Sequence, residues 1–302
     1  MIDPMPLTRQ ELGGRLPHGM VRSARRAHTL YRTSTASLRA LPTYLVIGAQ
    51  RCGTTSLYEY VCAHPSGCRA RGHEVHYFTL NSTRGLGWYR GHFPTLVEFN
   101  RTTRREGAVA VGEASPYYLF HPLVPERVRS ALPDVRLIVL LRDPVARAYS
   151  HYQREVAVGA ESLSFEEALD AEPGRLAGEE ERLKRDAGYN SFAHRNFSYV
   201  ARGLYAEQLR RWFALFPRDQ ILMLRSENLA GNPVPVMREV FAFLGLRPHP
   251  VVPLPRFSSS GSYSPMAPDT RDRLAERFGE PNRELAELLG WDGIWAEQPA
   301  RA

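Results

Sequence analysis

Three short stretches of this 302-residue chain bring together groups that could do chemistry. In the first, the apolar run Tyr44-Leu45-Val46-Ile47 leads into Gly48-Ala49-Gln50-Arg51-Cys52-Gly53-Thr54-Thr55-Ser56. Four residues separate the glycines, as in the phosphate-cradling pattern G-x-x-x-x-G-K-[ST], but Thr54 stands in the lysine position and the nearby cation is Arg51. A strand, a glycine turn and a helix start would aim the N–H groups of Gly53, Thr54 and Thr55 at an anion, on the positive end of the helix dipole. The hydroxyls of Thr54, Thr55 and Ser56 add donors. In the second stretch, Glu74 and His76 lie two apart in His73-Glu-Val-His-Tyr-Phe78, a spacing that puts both on one face of an extended segment. In the third, Arg142 and Asp143 follow an apolar run, and Ser150 comes eight residues after Arg142.

The lysine missing from the loop is the one that would reach the outer phosphates of a nucleoside triphosphate, with Mg²⁺ held by the neighbouring hydroxyl and by a second-strand carboxylate. Asp143 at that strand end is followed by Pro144, which makes it an N-cap with proline at the first helical position. Arg142 beside it would repel a metal. The loop therefore suits an anion of lower charge, held through arginines with no metal required.

Positioning these groups takes alternating strands and helices. Strands are expected at 45–48, 108–113, 136–141 and 220–224, the third continuous enough in apolar residues to be buried on both faces. Helices are expected at 54–63, 125–131, from Asp143 onward, at 204–216, 235–244 and 268–289. This is an α/β pattern: a three-layer, P-loop-like fold with a central parallel sheet flanked by helices. The charged stretch 161–185 reads as an exposed helical excursion, and 247–267, rich in proline and serine, as a long surface loop.

The formal net charge of +7 is carried almost wholly by arginine, Lys184 being the sole lysine. This bias fits a GC-rich coding background, and it suits anionic ligands without choosing among them. Residues 1–42 form a basic arm, flexible or partly helical, with seven arginines against Asp3 and Glu11 in the first forty positions; a membrane-surface or partner-binding role is its alternative reading. The main domain is expected over 43–296. Cys52, Cys62 and Cys68 are an odd number, without zinc-ligand spacing, and read as reduced thiols. With no apolar run of spanning length and no apolar leader segment, a cytoplasmic protein is expected.

GAQRCGTTSLYEYVCAHP and LIVLLRDPVARAYSHYQ together resemble the signature elements of sulfotransferases that use 3′-phosphoadenosine 5′-phosphosulfate (PAPS). HEVHYF, GLGWY, GEASPYYLF, GLYAEQLRRWFALFP and EPNRELAELLG are similar in order to the branch acting on heparan-type sugars by N- or 3-O-sulfation, and a bacterial member is implied. The resemblance implies PAPS as donor, bound by the loop residues Arg51, Cys52, Gly53, Thr54, Thr55 and Ser56. It assigns Arg142 and Ser150 to the 3′-phosphate. It makes Glu74 the general base, Arg51 the cation on the leaving-group oxygen, and His76 a residue that places the sugar. Arg256, in the serine-rich loop, is a further donor contact, and Trp88, Tyr89, Trp212 and Phe213 are candidates to line an acceptor cleft. Two departures stand out: Ala114 replaces a lysine of the sugar O-sulfating relatives, and Thr55 replaces a substrate-contacting arginine. Both point to a smaller or less acidic acceptor than heparan. The expected partners are the nucleotide donor and a sugar, lipid or metabolite hydroxyl or amine, not nucleic acid. A loop-type small-molecule kinase or NTPase and a non-enzymatic polyanion binder are the alternatives; the first lacks its lysine, and the second leaves the ordered motifs unexplained.

Overall fold

The computed structural model describes residues 27–72, 74–254 and 264–295. Among these, β1 (Tyr44–Gly48), β2 (Gly67–Arg69), β3 (Ala110–Ala114), β4 (Arg136–Leu141) and β5 (Ile221–Arg225) form one sheet in the order β2-β3-β1-β4-β5, every pairing parallel. The short edge strand β2 was not foreseen; its three residues carry no alternating pattern. From Leu137 to Leu141, β4 is fully enclosed. Five such side chains, each worth roughly 1.5–3 kcal/mol on burial, anchor the sheet.

The helices that position the site are α1 (Thr54–Ala63), α2 (Pro144–Ala157), α3 (Phe165–Leu176), α4 (Glu179–Arg185), α5 (Phe192–Asn196), α6 (Tyr205–Phe213), α7 (Pro233–Phe243) and α8 (Pro268–Leu289). α1 packs against β1–β3 and α7. On the remainder of the core, Trp212 of α6 donates from Nε1 to the Leu119 carbonyl at 3.3 Å. A Cβ at Gly48 would stand 2.5 Å from that of Leu119, so only glycine lets β1 pass there. β1 lies between β3 and β4, and the chain leaves it towards β2 on one side and returns through β4 on the other. The carboxyl ends of β1, β3 and β4 thus make the crevice in which open α/β sheets bind ligands.

The stretch 161–185 is not the exposed excursion its charge suggests. Phe165, Ala168 and Leu169 join Val145, Ala148, Tyr199, Leu274 and Phe278 in a second core. Three of its acidic residues, Glu161, Glu172 and Glu179, are buried, and each is satisfied. Glu172 accepts from the N–H groups of Val200 and Ala201 at 2.7 and 2.8 Å, and Glu161 from Arg175 and from the Tyr199 hydroxyl at 2.8 Å. The basic arm ends docked: residues 27–34 are helical, and buried Arg39 donates to the Phe93 carbonyl at 3.1 Å. No helix among the described residues is long and apolar enough to cross a membrane.

Candidate active site

Gly53, at φ 87°, caps α1 with no side chain of its own, so no side-chain group covers the first N–H groups of the helix. They are left for an anion. Arg51 is also left-handed, at φ 68°, a conformation costing a residue with a Cβ about 1–2 kcal/mol. It is held from two sides. Its Nε donates to Ser150 Oγ at 3.0 Å, and its carbonyl accepts from Arg142 Nη1 at 3.2 Å. The two sequence elements expected to share the donor thus meet around one residue. Asp143 caps α2 by accepting from Val145 and Ala146 N–H at 3.1 and 3.2 Å, which commits its carboxylate to the helix. Cys52 contributes backbone alone: it is enclosed, and burial pushes its thiol up to about 11.

Glu74 and His76 come together, Oε2 to Nε2 at 2.7 Å. They do so across a turn, since His76 has φ 51° and the segment is not extended as the spacing suggested. The turn is imposed from below by Glu113, at the end of β3 and 1% exposed. Its Oε2 accepts from Val75 N–H at 3.2 Å and from Ser115 Oγ at 2.6 Å; Ser115 Oγ in turn accepts from His76 N–H at 3.1 Å. Its Oε1 takes the hydroxyls of Tyr118 and Tyr89 at 2.7 and 3.0 Å. Burial raises the Glu113 carboxyl, against the pull of these hydrogen bonds. Tyr89 therefore serves the core, as does enclosed Trp212; none of the four aromatic candidates lines the cavity. Each packs against or within the apolar core, whose large rings fill the space beneath the sheet ends.

One cavity of about 770 Å³ joins these parts. Gln50, Arg51, Gly53, Thr54 and Thr55 line one side, and Glu74 and His76 sit at its edge. The far wall includes Arg154, Glu155, Phe192, Arg195 and Arg202. Arg202 lies over the rings of Tyr117 and Phe120 at 4.8 and 5.2 Å and donates to the side chain of Gln50 and to the carbonyls of His194 and Arg195. Burial pushes its guanidinium down to about 10. Sequence reasoning missed Glu113, Gln50, Arg202 and the far-wall charges. Glu113 carried a signal, a carboxylate closing an apolar strand; Arg202 and Arg195 carried none. Arg256 lies outside the described residues.

The sulfotransferase domain family matches residues 41–257, and the chain belongs to that family. Over 280 residues it is 31% identical to the human bifunctional heparan sulfate N-deacetylase/N-sulfotransferase 3, covering 82% of this chain and 30% of that protein. It is 33% identical over 214 residues to the mouse heparan sulfate glucosamine 3-O-sulfotransferase 3B1, covering 71% of this chain and 48% of that one. The chain thus spans between about a third and a half of these two relatives. Its structure is similar to the crystal structure of a sulfotransferase from Alicyclobacillus acidocaldarius, with 32% identity, a TM-score of 0.61, and coverage of 84% of this chain and 98% of that one. The fold and family expected from the motifs are those found.

Proposed function

We propose that the chain transfers a sulfuryl group from PAPS to a hydroxyl or amine of a carbohydrate-like or other small acceptor, with Glu74 as general base. One observation carries the reading: the loop lines one side of a cavity that Glu74 and His76 also line, with Arg51 held in that lining by Ser150 and Arg142 from behind it. The uncapped N-terminus of α1 together with Arg51 and Arg142 fits a phosphosulfate and a 3′-phosphate.

In this reading Glu74 takes the acceptor proton as the acceptor oxygen or nitrogen bonds to sulfur. The bond from sulfur to the bridging oxygen breaks, and the negative charge it leaves on the phosphate is balanced by Arg51 and the N–H groups at the start of α1. Ser150 holds Arg51 in place meanwhile. His76, hydrogen-bonded to Glu74, orients that carboxylate and meets the acceptor. The products are the sulfated acceptor and 3′,5′-adenosine bisphosphate; no metal takes part.

Thermal stabilisation by 3′,5′-adenosine bisphosphate, with none by ATP, is expected. In Glu74→Gln that stabilisation persists while turnover falls about 10²–10⁴-fold, the usual weight of a general base. Wild-type turnover in Glu74→Gln would remove Glu74 from the role, and Mg²⁺-dependent ATP turnover would restore the kinase reading.

A further inference from the structure

The wall facing the donor loop is built by the C-terminal turns of α2 and by α5. Arg154 of α2 and Arg195 of α5 both line the cavity, and neither guanidinium has a hydrogen-bond or ion-pair partner among the described residues. Beside them stands Glu155, only 5% exposed yet part of the same lining. Its carboxylate accepts no hydrogen bond among the described residues. The nearest basic nitrogen, His151 Nε2, is 3.7 Å away, beyond hydrogen-bonding reach. Burial raises this carboxyl, while Arg154, Arg202, Arg195 and Arg51 act to lower it. Leu80, Val158 and Phe192 add apolar lining to the cavity, the last two 55% and 53% exposed.

These groups describe what they await. Two unpaired guanidiniums in a partly enclosed site favour an anionic oxygen group, which planar guanidinium binds through charge-assisted hydrogen bonds. A carboxylate among them repels a second anion and accepts an O–H or N–H instead. Exposed apolar side chains gain by covering a ring or chain rather than a hydrated polysaccharide.

We infer that the acceptor is a compact molecule with a single acid group on an apolar body. Its acid group is held by Arg154 and Arg195, and Glu155 excludes a second charge. The inference rests on the sulfotransferase reading and narrows its acceptor. It accords with Thr55, a neutral residue in the loop side of the cavity lining.

The test takes the full chain with radiolabelled donor and four probes: hydroxyphenylacetate, its methyl ester, hydroxyisophthalate as the dianion, and a heparosan oligosaccharide. The monoacid is expected to exceed the ester and the dianion in kcat/KM by about tenfold, the value of one good charge-assisted contact. In R154A and R195A the KM for the monoacid rises towards that of the ester, and 3′,5′-adenosine bisphosphate still stabilises both variants. E155Q admits the dianion. The inference is overturned if ester and acid are used equally, if the dianion or the oligosaccharide is preferred, if R154A/R195A leaves the monoacid KM unmoved, or if no probe binds the bisphosphate-loaded protein. Failure of the bisphosphate to stabilise the wild type would instead overturn the donor assignment.

Discussion

The two sides of the cavity use arginine in opposite ways. On the loop side Arg51 is tied to Ser150 and Arg142 to the loop backbone, while buried Arg202 reaches across from the far wall and is tied to Gln50 and two carbonyls. On the far wall Arg154 and Arg195 are left unpaired among the described residues. The ties fix the loop before any ligand arrives, which suits a donor of constant shape: the ordering cost is met in folding rather than at binding. The open wall has no such constraint, and its residues can change with the acceptor. A side chain held by several partners is a fixture of the fold, and one aimed at a cavity without a partner is available to a ligand.

The Glu74–His76 segment stands between the two sides, and Glu113 decides to which it belongs. If it is held as firmly as the loop, removing its tie will be the most costly change. Glu113→Ala strands the Tyr89 and Tyr118 hydroxyls and the Val75 N–H in the core, and each unsatisfied group costs about 1–3 kcal/mol. A loss above about 3 kcal/mol in chemical denaturation is expected, with kcat depressed further at temperatures where the variant is still folded. Glu113→Gln, which keeps an acceptor oxygen, should recover much of the stability but less of kcat, because Ser115 and thus His76 are held less well. Equal recovery of both would make Glu113 a core residue with no hold on the Glu74–His76 pair.

Acid separates the two sides next. His194 and His121, packed near the far wall, are pushed down to about 2 and about 3, mainly by burial and then by neighbouring charges, Arg202 for His194 and Arg127 for His121. Both are neutral when folded, whereas in the unfolded chain they protonate below about pH 6.5. The unfolded state then binds more protons, so stability is full above pH 6.5 and is lost as pH falls towards 3. At pH 5 the loss is about 2 kcal/mol for each histidine. Hydrogen-exchange protection factors, referred to the intrinsic rate at each pH, should fall between pH 7 and pH 5 over 191–203 before they do over 48–56. Simultaneous opening would mean that the two sides unfold as one unit.

What was legible follows the same division. β4, α2 and α8 announced themselves because an unbroken apolar run, an Asp-Pro start and a long periodic stretch are local signals, and α8 fell on the expected bounds. The form of the loop was legible as well, since a strand, a glycine turn and a helix start are what its residue types dictate. The far wall was not. Arg202 meets Gln50, and Arg195 lines the same cavity as Arg154, through the placement of α2, α5 and the turn Ala201–Gly203, juxtapositions that no spacing encodes. Burial of Glu161, Glu172 and Glu179 was hidden for the same reason: a glutamate reads as surface until the N–H groups and hydroxyls that satisfy it are in view.

The smallest expected effect lies at the joint where α2 begins on the donor side and runs to the far wall. Asp143 caps its first turn through Val145 and Ala146, and replacing a capping Asp by Ala costs about 1 kcal/mol. The cap sits next to Arg142, which holds the Arg51 carbonyl, and three turns from Arg154 along a fourteen-residue helix. Fraying should therefore reach the loop and not the wall. In Asp143→Ala, affinity for 3′,5′-adenosine bisphosphate should fall a few-fold by calorimetry, while the acceptor KM at saturating donor stays within error. Movement of the acceptor KM instead would show that α2 couples the two sides rigidly, and that the open wall is less independent of the tied loop than its unpaired arginines imply.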